Sequence, residues 1–126
     1  MKTLPLDAAL RTCAEIGYSH VEMALNAGYS HFELQGIDLE ESMAALLPRT
    51  KFIHVKDVAG TAAKFQFLLP GQGRTDYRKY FSLLRKFRYT GPVCVEVSGQ
   101  IFNQPGYDPV AAARTSHAAL SKAMHA

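Results

Sequence analysis

No run of about 18 apolar residues occurs in the 126-residue chain, which excludes a conventional membrane-crossing helix. The N-terminus also lacks the basic-then-apolar pattern of a secretory signal, because Pro5 and Asp7 interrupt it at once. The cytoplasm is therefore the expected compartment, and no membrane partner is expected. Cysteine is scarce. Cys13 and Cys94 form no CxxC or CxH spacing, which argues against zinc or dithiol chemistry. One sits in an apolar-periodic helix and the other in a β-branched run, so both are expected to be buried free thiols. Strong charge of either sign is missing too, the net charge being +3. Much of it comes from Arg74, Arg78, Lys79, Arg85, Lys86 and Arg88, a cluster that in principle follows a phosphate backbone. It shares its helix with Tyr77, Tyr80, Phe81, Leu84 and Phe87, so a solvated outer face is expected and no nucleic-acid partner.

What is present, 48% hydrophobic and 20% charged residues, suits one globular domain spanning 1–126. Asp7 is placed to cap a helix over Ala8 to Ile16, which Gly17 stops. His20 to Leu25 has the pattern of a short strand. Asp38 and Glu41 form a capping-box pattern for a helix reaching about Leu47, where Pro48 ends it. Lys51 to Lys56 is a β-rich run, Val58 to Arg74 a long glycine-containing loop, Thr75 to Arg88 an amphipathic helix, and Pro92 to Val97 an apolar strand. Asp108 and Pro109 open a last helix. Strands that alternate with crossover helices, and that have the composition of strands buried on both faces, predict an α/β fold with parallel pairing.

One internal repeat stands out. Gly17-Tyr18-Ser19-His20-Val21-Glu22-Met23 recurs as Gly28-Tyr29-Ser30-His31-Phe32-Glu33-Leu34, with five identities in seven positions at an offset of 11. That offset is shorter than a usual solenoid unit. Two explanations remain open: coincidence in a short stretch, or a junction where two segments have been joined with the chain between them lost.

Three features carry chemistry. His54 and Lys56 lie two residues apart in one strand, so they share a face and are able to point into one cleft at a strand's C-terminal end, although a lone strand histidine is more often a satisfied buried one. Glu96, in the run Val93-Cys94-Val95-Glu96-Val97, is a carboxylate in an apolar strand and asks for a cation, a metal or an arginine. Leu69-Pro70-Gly71-Gln72-Gly73-Arg74 sits in a loop of about 17 residues, a length typical of lids or disordered segments, though its glycines also suit plain turns.

Taken in order, His54-Val55-Lys56-Asp57, Leu69-Pro70-Gly71-Gln72-Gly73 with Asp76, Tyr89-Thr90-Gly91-Pro92 leading to Val95-Glu96, and Gly106-Tyr107-Asp108-Pro109 resemble the end of a sugar-phosphate isomerase/epimerase, a xylose-isomerase-like TIM barrel. The resemblance implies that residues 1–25 correspond to helix one and strand two, and 26–126 to strand six through helix eight, the family's intervening elements being absent. A whole (β/α)8 barrel takes about 250 residues. The implied fold is thus a partial barrel of three to four parallel strands and four helices. Members of the family hold a divalent metal at strand C-terminal ends and shift protons on a bound sugar. By position, His54 and Glu96 match metal ligands, Glu96 also serving as the possible base. Lys56 would help hold the substrate and His31 would contact it. The Asp of the family's Asp-x-x-His pattern is Gly28 here, and a further carboxylate falls in the absent segment. Asn26 and Glu22 are the nearby polar substitutes. Two of four ligands being without counterparts, a bound Mn, Mg, Co or Zn ion is expected to be weak or absent.

A partial barrel leaves open strand edges and an uncovered sheet face. Self-association as a homodimer, possible by domain swapping, is the expected repair. The functional expectation is a shortened isomerase/epimerase-like chain whose activity on a sugar or sugar phosphate is weak or absent. The alternative is a non-catalytic folding module or half-barrel fragment that oligomerises, and the remoter one a relative of the apurinic endonucleases, which share the barrel but need a richer ligand set.

Overall fold

A computed structural model describes residues 6–18, 38–61 and 63–126. The expected strand at His20 to Leu25, most of the repeat, and Glu22, Asn26, Gly28 and His31 lie outside the described residues.

Helix α1 runs Leu6–Ile16. It starts one residue before Asp7, which therefore stands in the first turn and not at the cap. There it faces Arg11 at 3.9 Å in an exposed i,i+4 pair, a contact worth at most a few tenths of a kcal/mol. Gly17 ends the helix as expected, its φ of 105° placing it where only glycine is comfortable. Helix α2, Leu39–Leu46, is capped by Asp38, whose carboxylate accepts from the Glu40 amide at 2.8 Å. A 3-10 turn over Leu47–Arg49, with Pro48 at its start, closes it.

Strands β1 (Ile53–Val55) and β4 (Val93–Val95) pair in parallel, in the register Ile53↔Val93, His54↔Cys94, Val55↔Val95. Between them the chain makes an antiparallel hairpin, β2 (Asp57–Gly60) with β3 (Phe65–Leu68), and helix α3 (Tyr77–Lys86), capped by Asp76. Short helix α4 (Gly99–Phe102) and long helix α5 (Pro109–Met124) complete the chain. Asp108 caps α5 by accepting from Val110 and Ala111 at 2.8 and 3.1 Å, with Pro109 at the first helical position.

The core lies on one side of the parallel pair. Ile53 and Val55 meet Met43 and Leu47 around α2, Tyr77, Tyr80, Phe81, Leu83 and Leu84 of α3, and Leu120 and Ala123 of α5. Arg78, Lys79, Arg85 and Lys86 occupy the exposed side of α3, the solvated outer face expected of that helix. Arg85 donates to the Met124 carbonyl at 2.8 Å and Lys86 pairs with Glu40.

Four expectations need correction. The strands are not buried on both faces: β1 alternates buried, exposed, buried, and in β4 Cys94 is exposed between half-buried valines. Among the described residues, helices cover one face only. The thiols are not buried either, Cys94 being exposed on the open side of β4 and Cys13, in α1, half-buried. The segment Val58 to Arg74 is no open loop but the hairpin followed by a tight turn. Finally, the described residues hold five α-helices where four were expected, and beside the two parallel strands an antiparallel pair that was not; in keeping with the partial barrel expected, they form no closed barrel. Among them, too, no helix is long and apolar enough to cross a membrane.

Candidate functional site

Parallel pairing puts the C-terminal ends of β1 and β4 side by side, and the next residue of each chain segment is charged: Lys56 after Val55, Glu96 after Val95. The Glu96 amide still donates to the Val55 carbonyl at 2.9 Å, so the ladder holds both residues in place at the edge. Lys56 Nζ lies 2.6 Å from Glu96 Oε1, the lysine side chain 16% exposed and the glutamate 41%. Such a short contact is charge-assisted. The cation that an acid in this apolar run demands is therefore Lys56. The ammonium also stands 4.6 Å from the centre of the Phe67 ring in β3, a cation–π distance.

The period-two alternation of a strand places His54 on the same open face, two residues before Lys56 and opposite Cys94. Its ring meets Phe52 edge-on at 4.7 Å, and Phe52 is 49% exposed. The face opposite the core thus presents Phe52, His54, Lys56, Cys94 and Glu96. The expectation that His54 and Lys56 share a face is met; His54 is exposed and not a buried strand histidine.

Next to this pair is a residue the sequence reading passed over. Asp57 is 0% exposed. Its Oδ1 accepts from the amides of Val58 (2.9 Å) and Thr75 (3.1 Å), and its Oδ2 from those of Gly71 (3.0 Å) and Gly73 (2.9 Å). Four backbone donors replace the water a buried carboxylate loses. The Leu-Pro-Gly-Gln-Gly turn is consequently a structural clasp. Gly73 is required because a Cβ there would run into the Asp57 carboxylate and the Val58 carbonyl, and Gly71 because its φ is 87° and a Cβ would stand 2.6 Å from that of Ala119. The signal was available in principle: an acid directly after a strand, followed by a glycine-rich turn with amides to satisfy.

Beneath the clasp, the Tyr77 hydroxyl is buried and makes no hydrogen bond of good geometry among the described residues, the Thr75 side chain being its polar neighbour. Burial, then the nearby Asp57 charge, makes it a much weaker acid than an ordinary tyrosine, its pKa lying well above the usual range. Burial likewise pushes Tyr80 up to about 12. On the other side of the hairpin, Gln100 Oε1 accepts from the Phe67 amide at 2.7 Å, tying β3 to α4.

Among the described residues no three His, Cys, Asp or Glu side chains come together to hold a metal. Of the two expected ligands, Glu96 is engaged by Lys56 and His54 lies exposed two residues before that lysine, while the neighbouring carboxylate of Asp57 is spent on backbone amides, so these residues do not fit a hard ion needing about six oxygen contacts. The family is often metal-dependent. No curated protein matches the chain. The model of one family does match, described as the xylose isomerase-like TIM barrel, over residues 5–123. With helices packed outside a parallel pair and charged side chains gathered at its C-terminal ends, the chain belongs to the xylose isomerase-like TIM barrel family.

Proposed function

We propose that this chain is an internally shortened sugar-phosphate isomerase/epimerase relative whose proton-shifting activity is weak or absent, and which a second copy of itself completes. The observation that carries the proposal is the Lys56–Glu96 pair at the carboxyl ends of two parallel strands, where barrels of this kind place their chemistry. A base that takes a proton from carbon beside a sugar carbonyl has to be free to accept it. Glu96 Oε1 is instead engaged by the Lys56 ammonium at 2.6 Å. Lys56 and His31 would hold the sugar, and His54 with Glu96 would be what remains of the ligand set.

The family match over 5–123 supports ancestry within a chain of 126 residues, roughly half of what a whole barrel takes. Two features support self-association: the exposed face carrying Phe52 and Cys94, and a parallel sheet of only two described strands, too few to stand alone without further cover. No interaction with nucleic acid is proposed.

The test is exchange of substrate C–H for deuterium in D2O, followed by NMR, over a panel of aldose and ketose phosphates with added Mn2+. The expected result is exchange no faster than in the E96Q variant. Turnover of any panel sugar that E96Q abolishes would overturn the loss of activity and restore a working isomerase.

A further inference from the structure

We infer that the Lys56 ammonium takes the place of a divalent ion, so that the strand-end site carries its own built-in cation and excludes Mn2+, Mg2+, Co2+ and Zn2+. The inference rests on reading this edge as the family's site. Its experiment measures metal occupancy and not turnover, so the two fail separately.

Three observations converge on the lysine. First, the ammonium is 2.6 Å from Glu96 Oε1, at the position where the carboxylate would present itself to an ion. Second, the lysine side chain is mostly buried and the glutamate far less so, which makes the lysine the fixed member and the acid the one that comes to it. Third, the ammonium also stands over the Phe67 ring at 4.6 Å, a surface that suits an organic cation and offers no oxygen ligand to a hard metal. Phe67 is itself held, its amide donating to Gln100 Oε1 at 2.7 Å. A divalent ion entering beside Glu96 would meet the like charge of Lys56 at close range, in surroundings where charge repulsion is felt more strongly than in water. It would also find Asp57, the neighbouring carboxylate, turned to the amides of Val58, Gly71, Gly73 and Thr75.

The experiment is Mn2+ titration of the full chain, following the free-ion EPR signal, for wild type and the E96Q, K56M and K56R variants. Wild type and E96Q are expected to coincide, showing no Glu96-dependent binding. K56M, which keeps the apolar stem and removes the charge, is expected to bind Mn2+ at least about tenfold more tightly than wild type, and K56R to remain like wild type. Binding by the wild type that E96Q abolishes would overturn the inference, as would a folded K56M no tighter than wild type. Should K56M not fold, as judged by circular dichroism, the comparison of wild type with E96Q still decides.

Discussion

Asp57 is the residue on which most depends. Replacing it with asparagine keeps the shape but turns an amide NH2 towards a group of backbone donors, leaving several of them without an acceptor. We predict that D57N loses about 3 kcal/mol, measured by thermal or urea unfolding. By contrast Glu96 is half-exposed, and E96Q should cost no more than about 1 kcal/mol by the same measurement. Tyr77 is predicted to behave in the opposite sense: its buried hydroxyl makes no hydrogen bond of good geometry among the described residues, Thr75 being its polar neighbour, so Y77F should change stability by no more than about 1 kcal/mol. Tyr80 supplies a pH prediction. Its pKa is raised from about 10 when unfolded to about 12 when folded, so the folded chain resists ionisation that the unfolded chain undergoes. Its contribution is fully present below pH 10 and is lost as pH rises from 10 to 12. Unfolding curves across that range should show a decline, flattened in Y80F, where that contribution is gone.

At this scale the sequence made Lys56 and Glu96 visible, because charge in an apolar, β-branched run is conspicuous and alternation fixes the shared face. It misled on Cys94, since whether a strand position is buried depends on a covering layer that distant segments must provide. His31 shows another limit: its role rests on resemblance alone.

Among the elements, helices were the most legible. Gly17, Asp38, Asp76 and Asp108 each stand at a helix end for a local reason, an αL stop or a carboxylate accepting amide hydrogens, and local reasons survive in sequence. The hairpin β2–β3 was not legible. Its strands have four residues each, and it turns through Gly60, at φ 89°, and a reciprocal Thr61–Lys64 backbone pair, a pattern without a familiar two-residue turn dipeptide. What followed it looked like a loop because the clasp depends on an acid 14 to 18 residues away. The two turn glycines give the element-scale prediction. G73A should cost at least about 2 kcal/mol, because the obstacle is a carboxylate and a carbonyl that have no room to move, whereas G106A, with φ 77° but open space around it, should cost about 1 kcal/mol. Paired denaturation curves would check the order.

For the molecule as a whole, the parallel pair and its helical cover are those of a barrel wall, yet the described residues do not close into a barrel. Parallel pairing was legible from the alternation of strands and crossover helices; the uncovered face was not, because the composition of β1 and β4 is still that of strands buried on both sides. That mismatch between apolar, β-branched composition and one-sided burial is what a wall separated from its barrel would leave, and it is why we expect a second copy to be needed. The most direct measurement is the mass of the purified chain by light scattering, with the metal content of the same peak. The predicted result is a dimer free of stoichiometric metal. A monomer at micromolar concentration that unfolds in one sharp thermal transition would contradict it, and so would a dimer carrying one tightly held ion per chain.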